Sequence, residues 1–502
     1  MTFFYRLIES LAKQYILHPF LVIIYFIFHY LITFEGVINW YELLGIFFTL
    51  FLGYFIAKLI IQKIILDKFN ASYLLSFVLV FFLFYEDIHY TVSLLLSFQI
   101  RNRYFLPIIL SATLLFLLFL LRSKRIYRLN LFLNILIIVY LIIDLTSYTV
   151  LKFESKSFTE NQKLTTKLNV EHLPNVFLLL IDGYGNNNNL ERYYHFNNNK
   201  FIDSLNKIGF HVVQNAKSNY CFTVLTMSSM LNLRYHTPQQ RNFMPEIMEL
   251  IKKNIVTELL EQRGYEINNL SIFNIQNFNA KYGLKIWTNR SSLPFYYLTK
   301  TSIFVFLTQK EKGEGLSREL KVFQAVDSLC SVENQKPKFV YAHVLLPHVP
   351  FYLDDLGHYQ QKIDDRNPSL SSIKDLVDKD PNNNTMGSSE ADSLLKIDYI
   401  SHIKYTNKKC LETITNILKY GKRPSIIILM SDHGSRMLTN PIPHSEAVKE
   451  RYDNFCAIYY PNKDYSKLYD SITPINVMRQ VLNKSINTKY YNLKDISGLE
   501  IE

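Results

Sequence analysis

Long apolar runs dominate the first third of the chain. Five runs with few charged residues cover 16–34, 43–62, 71–85, 105–121 and 131–150. An α-helix needs about 20 mostly apolar residues to cross the hydrocarbon core of a bilayer, and each run is near that length, although 71–85 is short. The pattern therefore predicts an N-terminal bundle of about five transmembrane helices over residues 1–151.

The pattern changes after residue 151. Residues 152–172 are polar without a strong period, which predicts a linker that leaves the membrane. Continuous apolar runs then recur near 176–181, 338–343 and 425–432, with helical spacing between them. Such runs are typical of strands buried on both faces of a sheet, and their alternation with helices indicates an α/β domain with a mostly parallel sheet. We predict that this domain covers 173–502.

Basic residues between the apolar runs predict the orientation in the membrane. Lys13 precedes the first run, Lys63 and Lys68 follow the second, and the loop at 35–42 has no Lys or Arg. Lys and Arg accumulate in cytoplasmic loops, so an odd number of spans with a cytoplasmic N-terminus places the α/β domain outside the cytoplasm. The sequence thus predicts a multi-pass protein of the inner or plasma membrane with an extracytoplasmic domain.

The charge balance bears on the choice of partner. The chain has 54 Lys and Arg against 43 Asp and Glu, a net charge of +11. These basic residues are dispersed and form no clustered basic helix or aromatic-basic module, which argues against nucleic acid. Attraction to anionic lipid or to a phosphorylated substrate explains the excess more simply.

Three predicted strands end in residues that can bind a metal ion. Asp182 follows the first strand, His343 and His348 lie at the second, and Asp432 and His433 follow the third. Parallel strands bring these ends to one edge of the sheet, where ligands of α/β proteins collect. Carboxylates with imidazole suit Zn²⁺ or Mn²⁺. The period-two position of His343 predicts that it points into the core, outside the metal ligands.

Four segments, in order, carry a resemblance to a known group of proteins: NVFLLLIDGYG, SNYCFTVLTMSSML, AHVLLPHVPF and SDHGSR. They resemble the alkaline phosphatase and sulfatase superfamily. With the preceding apolar runs, the chain is most similar to its membrane branch, the lipoteichoic acid synthases and lipid A phosphoethanolamine transferases. The resemblance implies one divalent ion, or two, held by Asp182, Asp432, His433 and a nucleophile within 218–226.

Four residues compete for the role of nucleophile: Ser218, Cys221, Thr223 and Thr226. Soluble sulfatases place Pro and Arg after the Cys or Ser that becomes formylglycine, and Cys221 lacks both. Matching 229–232 to the helix segment that follows the transferase threonine puts Thr223 at the nucleophile position. A threonine hydroxyl needs a cation to lower its pKa, so the resemblance makes Thr223 both metal ligand and nucleophile.

Two further histidines match positions that face the transferred group in the transferases. His348 lies in PHVPF, and His444 lies in NPIPHSE, eleven residues after His433. The resemblance implies that both bind substrate, by stabilising charge on the phosphoryl oxygens, holding a second ion or protonating the leaving group.

The resemblance implies a transferase that moves a phospholipid headgroup, phosphoethanolamine or phosphoglycerol, to an envelope glycan or lipid acceptor through a phospho-Thr223 intermediate. Two alternatives stay open at this point. The same site can serve a hydrolase of sulfuric esters or phosphodiesters, in which water is the acceptor. The chain can also be a non-catalytic membrane assembly protein.

Overall fold

The computed structural model of the chain describes residues 15–33, 40–95, 102–122, 127–155, 172–241, 244–282, 314–332, 335–349, 351, 353–358, 389–436 and 444–498. Contacts between residues divide the described chain into a membrane unit up to residue 155 and a catalytic unit from residue 172. The predicted linker 152–172 lies mostly outside the described residues, so the predicted domain boundaries stay a prediction.

The membrane unit is helical throughout its described residues. Its helices are α1 (His18–Thr33), α2 (Trp40–Ile64), α3 (Lys68–Leu83), α4 (Tyr85–Leu95), α5 (Asn102–Arg122) and α6 (Tyr127–Ser155). Ile23 and Phe26 of α1 pack with Leu50 of α2 and with Leu75 and Leu79 of α3 in one buried cluster. Because apolar side chains also cover much of the outer surface, this unit matches a bundle surrounded by lipid rather than by water.

Three of these helices are long and apolar enough to cross a membrane, which indicates a membrane protein. They are the segments Leu44–Ile64, Tyr104–Arg122 and Arg128–Thr149. The first and third predicted spans correspond to α1 and α3, which are apolar but have only 16 residues each. The prediction of about five spans is therefore supported for three, and the full count stays a prediction.

The catalytic unit is built on a six-stranded sheet with the order β2-β6-β5-β1-β4-β3. Strands β1, β3, β4 and β5 are parallel, and β6 and β2 add an antiparallel edge, so the sheet is mostly parallel as predicted but mixed. The strand bounds are β1 (Asn175–Asp182), β2 (His211–Val212), β3 (Glu266–Leu270), β4 (Lys338–Pro347), β5 (Ser425–Ser431) and β6 (Cys456–Tyr459).

Helices cover the sheet. They are α7 (Asn187–Tyr194), α8 (Asn199–Ile208), α9 (Thr223–Leu231), α10 (Pro238–Arg241), α11 (Met244–Lys252), α12 (Ile255–Gln262), α13 (Glu314–Ser331), α14 (Ser389–Tyr420), α15 (His444–Tyr452) and α16 (Pro474–Ile486). Helices α11 and α12 are separate, and the Asn254 side chain caps the start of α12 by accepting a hydrogen bond from Thr257 N.

The three central strands are those that the apolar runs predicted. Every residue of β1 and of β5 is buried, since helices cover both faces of a parallel sheet. β1 lies between β4 and β5 and is parallel to both. Their carboxyl ends therefore meet at one edge of the sheet, and Asp182 stands at the centre of that edge.

Candidate metal centre and nucleophile

Two acidic side chains and one imidazole meet where β1 and β5 end. Asp182 is the last residue of β1, and Asp432 and His433 directly follow β5. His433 Nε2 lies 3.6 Å from Asp182 Oδ1 and 3.4 Å from Asp432 Oδ2. All three side chains are almost completely buried. The sheet thus brings the predicted protein ligands together at one point.

Backbone hydrogen bonds hold one oxygen of the Asp432 carboxylate and leave its other oxygen free. Asp432 Oδ1 accepts hydrogen bonds from Gly183 N at 3.2 Å and from His433 N at 3.0 Å. Gly183 has φ +69°, a conformation that favours glycine, and this turn aims its N–H at Asp432. Among the described residues, Asp432 Oδ2 and Asp182 Oδ1 have no hydrogen-bond partner. Two buried oxygens without partners are costly unless something else binds them.

The charge state of Asp182 fits a ligand for a cation. Burial opposes its ionisation, but the nearby imidazoles of His348, His343 and His433 outweigh burial and hold the pKa of the Asp182 carboxyl below its usual range. Asp182 is therefore a carboxylate at neutral pH, without a hydrogen bond to Oδ1.

Backbone contacts also fix the tautomer of His433. Its Nδ1 lies 2.7 Å from the carbonyl oxygen of Gly434 and donates to it, so the neutral ring presents the lone pair of Nε2 to the carboxylates. Burial lowers the pKa of His433, which keeps the ring neutral. A hydrogen bond from the far nitrogen to a carbonyl is the usual way in which proteins orient a histidine that binds a metal.

Thr223 places its hydroxyl beside the same nitrogen. It is the first residue of α9, it is buried, and its Oγ1 lies 3.5 Å from His433 Nε2. The neighbouring hydroxyls have other partners. Thr226 Oγ1 donates to the Tyr220 carbonyl, and Ser218 Oγ donates to the Tyr452 carbonyl. Ser229 Oγ donates to the carbonyl of Thr226. Thr223 is thus the hydroxyl of this segment that faces the carboxylates.

The residues of this edge fit a divalent metal ion. Asp182, His343 and Asp432 each offer an atom within 4.8 Å of the others, and all three are buried. Carboxylate oxygens with imidazole nitrogens are a ligand set that suits Zn²⁺. An ion at this point would bind the carboxylate oxygens that hydrogen bonds leave free. The ligand atoms of this site therefore fit a divalent ion, and they do not select one particular ion.

Comparison with known proteins then decides the family. The family model described as Sulfatase matches residues 174–482. The chain belongs to the sulfatase family. It is an enzyme that acts on sulfate or phosphate esters, which confirms the predicted superfamily and removes the alternative of a non-catalytic assembly protein. No curated protein matches this sulfatase-family chain.

Solved structures show distant similarity to this sulfatase-family protein. Lipooligosaccharide phosphoethanolamine transferase A (EptA) from Neisseria meningitidis is 13% identical, with 96% of this chain and 95% of that chain covered and a TM-score of 0.40. The C-terminal periplasmic domain of EcEptC from Escherichia coli, in complex with Zn, is 14% identical over 62% and 83%, with a TM-score of 0.39. The C-terminal periplasmic domain of phosphoethanolamine transferase EptC from Campylobacter jejuni is 14% identical, with 62% of this chain and 89% of that chain covered and a TM-score of 0.36.

His343 lies close to Asp182 in this sulfatase-family site. It is fully buried on β4, as its period-two position predicted, and its Nε2 lies 3.4 Å from Asp182 Oδ2. Neither ring nitrogen has a hydrogen-bond partner in the described chain. The register of the two parallel strands pairs His343 with Leu180, two residues before Asp182. That His343 lies outside the ligand set stays a prediction.

The structure describes the side chain of only one of the two predicted substrate histidines. The His348 ring lies 6.4 Å from the ring of His433, centroid to centroid, and its Nδ1 donates to the Val349 carbonyl. His348 thus lies beside the candidate metal ligand His433, and this hydrogen bond leaves its Nε2 available. His444 is the first residue of α15, and its side chain lies outside the described part of the structure, so its substrate role stays a prediction.

Arg436, the last residue of the SDHGSR segment, also lies near the site. Arg436 has φ +58°, a left-handed conformation that is uncommon for a side-chain-bearing residue. Its Nη1 donates to the Cys221 carbonyl at 3.2 Å, two residues before Thr223. A basic residue three positions after His433 was the available sequence signal.

Proposed function

We propose that this enzyme transfers a phospho-group from a phospholipid headgroup to an envelope glycan or lipid acceptor through a phospho-Thr223 intermediate. The observation that carries the proposal is the position of Thr223 Oγ1, 3.5 Å from His433 Nε2, at the edge where Asp182 and Asp432 present free oxygens. The hydroxyl and the candidate metal ligands thus share one point in the structure.

Each residue has a role in this proposal. Asp182, Thr223, Asp432 and His433 would hold Zn²⁺ or Mn²⁺, with His343 beside Asp182. A bound divalent ion lowers the pKa of the hydroxyl that it contacts and neutralises charge on phosphoryl oxygens. His348 presents Nε2 toward the transferred group, and His444 is proposed to bind it from α15. The amides at the N-terminus of α9 favour an anionic group in front of Thr223.

Two steps complete the proposed reaction. Thr223 Oγ1 loses its proton and forms a bond to the donor phosphorus while the bond from phosphorus to the diacylglycerol oxygen breaks. That oxygen takes up a proton, and diacylglycerol leaves. An acceptor hydroxyl then loses its proton and attacks the same phosphorus, the bond to Thr223 breaks, and Thr223 regains a proton. Two displacements at phosphorus restore the enzyme without net oxidation or reduction.

The membrane unit supports a lipid donor. A single span would anchor the catalytic unit, whereas the described residues include three helices long enough to cross a membrane and two shorter apolar ones. We propose a multi-pass protein of the inner or plasma membrane with the catalytic unit outside the cytoplasm. The net charge of +11 favours anionic lipid and phosphorylated substrates.

The intact mass of the purified full chain tests this function. The detergent-solubilised protein is loaded with Zn²⁺ or Mn²⁺ and incubated with a panel of phospholipids, and peptides across 218–231 are mapped. We expect a headgroup adduct on Thr223, and its mass names the donor. An adduct on another residue of the segment, such as Ser218 or Cys221, would overturn the assignment of Thr223.

A hydrolase is the second candidate, because the matching family model is that of the sulfatases. The same residues would act, with water in place of the acceptor hydroxyl. Release of product in the absence of any glycan or lipid acceptor would favour the hydrolase, and release that depends on an added acceptor would favour the transferase.

A further inference from the structure

A cation stands beside the nucleophile, and no role in the proposed reaction has been given to it. The Arg436 Nη1 donates to the Cys221 carbonyl, and the guanidinium carbon lies 5.4 Å from the centroid of the Phe222 ring. Both partners immediately precede Thr223 in the chain. Its other N–H groups make no hydrogen bond within the part of the chain that the structure describes. Arg436 therefore has donors available beside Thr223.

The loop that carries Arg436 is fixed against α15. Gly434 N donates to the Arg451 carbonyl at 2.8 Å, and a Cβ on Gly434 would collide with the Glu450 carbonyl oxygen. The Ser435 hydroxyl donates to the buried Glu450 carboxylate. Because Gly434 and Ser435 are held in this way, the left-handed backbone conformation of Arg436 is a fixed feature of the site.

The charges at the site leave a role for this cation. A divalent ion held by Asp182 and Asp432 would be balanced by their two carboxylates. An anionic group held at Thr223 would thus find no net positive charge on the ion and these two ligands. A guanidinium offers paired N–H donors that match two oxygens of a tetrahedral anion.

We propose that Arg436 contacts two oxygens of the tetrahedral anionic group that is transferred through Thr223, and stabilises the charge that develops on them. The contact is additional to those of the metal ligands and of His348. This proposal rests on the proposed function only for the identity of the group, since a phosphoryl and a sulfuryl group offer the same oxygen geometry.

Binding of inorganic phosphate to the zinc-loaded full chain tests the contact without requiring a donor. Isothermal titration calorimetry with phosphate, and in parallel with sulfate, compares the wild type with Arg436→Gln and Arg436→Lys. We expect Arg436→Gln to weaken binding of the preferred anion about tenfold or more, because a charge-assisted bidentate contact is lost. Arg436→Lys keeps the charge but lacks the paired N–H donors of a guanidinium. Its phosphate affinity should therefore fall between those of the wild type and Arg436→Gln.

A matched control removes the same charge elsewhere. Arg192 pairs with Glu446 and its side chain is 60% exposed, so Arg192→Gln should bind phosphate as the wild type does. Zinc content and the thermal unfolding midpoint are measured for every variant. Wild-type phosphate affinity in a folded Arg436→Gln variant would overturn the proposal. A parallel loss of zinc would overturn it too, because Arg436 would then act by positioning the metal loop.

Steady-state rates provide the second readout. If phospholipid transfer is the reaction, Arg436→Gln should lower kcat/KM by about 100-fold, the usual cost of one transition-state donor. If no phospholipid forms an adduct on Thr223, the proposed function fails while the phosphate titration still decides the role of Arg436. An unchanged kcat/KM in a variant that forms the Thr223 adduct would contradict the proposal.

Discussion

Buried polar atoms without hydrogen-bond partners are arranged differently in the two units of the molecule. In the membrane unit, the Asn134 side chain accepts from the His18 N–H and His18 Nδ1 lies 2.6 Å from Ser76 Oγ, while His18 Nε2 has no hydrogen-bond partner among the described residues. At the edge of the catalytic sheet, Asp182 Oδ1, Asp432 Oδ2 and both nitrogens of His343 lack hydrogen-bond partners among the described residues.

This difference separates polar groups that stabilise the fold from polar groups that are available to bind a ligand. Polar groups in a helical bundle stabilise the fold by pairing with one another or with the backbone, so their partners lie within the chain. At the sheet edge, hydrogen bonds with the backbone hold Asp432 Oδ1 and His433 Nδ1 and leave Asp432 Oδ2 and His433 Nε2 for a ligand, so these groups stabilise the fold only when a ligand completes the site. Changes in the two units should therefore have different consequences.

The largest effect should come from the hydroxyl that faces the candidate metal ligands. We expect Thr223→Ala to lower turnover by at least about 1000-fold, because no other hydroxyl of the segment can replace the nucleophile. Thr226→Ala is the matched control, since Thr226 Oγ1 donates to the Tyr220 carbonyl. Rates and thermal unfolding midpoints of both variants check the prediction. Equal activity in Thr223→Ala and the wild type would remove Thr223 from the mechanism.

The second effect tests His343, the buried histidine beside Asp182. His343→Gln should weaken zinc binding by about 10- to 100-fold, the usual cost of losing a group that ligates or orients a metal ligand. Competition with a chromogenic zinc chelator measures the affinity of the full chain. His195→Asn is the control, because His195 is exposed and ends α7 in a left-handed conformation that Asn also adopts. Unchanged zinc affinity in His343→Gln would assign His343 to packing alone.

A histidine with partners in the chain should control the pH dependence of stability. Burial lowers the pKa of His236 to about 3, and its Nε2 lies 2.7 Å from Ser228 Oγ. The unfolded chain binds a proton at this residue below about pH 6.5 and the folded chain does not, so acid favours unfolding. The free energy of unfolding should fall by about 1.5 kcal/mol between pH 6.5 and pH 5.

Thermal unfolding at pH 7 and pH 5 checks this dependence. His236→Gln removes the titrating group, so its midpoint should change less between the two pH values than that of the wild type. An identical pH response in the variant and the wild type would show that other groups cause the acid sensitivity.

The smallest effect belongs to the ion pair of the membrane unit. The side chains of His29 and Asp144 are 43% and 20% exposed, so the pair is expected to contribute less than about 1 kcal/mol. Asp144→Asn should lower the thermal midpoint slightly and leave the zinc content unchanged. Loss of zinc from Asp144→Asn would contradict the expectation that changes in the membrane unit leave the zinc site intact.

The sequence predicted the centre of the fold better than its edges. Strands β1, β4 and β5 are long and apolar because they are buried on both faces, so their pattern is visible without a structure. Strand β3, with the sequence EINNL, and the two-residue β2 carry no such pattern, because edge strands need less apolar surface. Their existence depends on pairing with β4 and β6, which a local pattern does not contain.

Only part of the candidate site could likewise be predicted from the sequence. Asp182, Asp432 and His433 could be predicted to meet, because parallel strands place their carboxyl ends at one edge. The contact between His343 and Asp182 could not, because it depends on how far a side chain reaches across the register of two strands. The interaction of Arg436 with the Cys221 carbonyl depends on a left-handed backbone conformation that the sequence motif does not encode.

The zinc content of the purified full chain tests the metal site most directly. Inductively coupled plasma mass spectrometry compares the wild type with Asp432→Asn, which keeps the shape of the side chain and removes its charge. We expect at least one tightly bound zinc ion per wild-type chain and none in Asp432→Asn, with both proteins folded. Equal zinc in the two proteins, or none in the wild type after loading, would contradict a metal centre at the edge of the sheet.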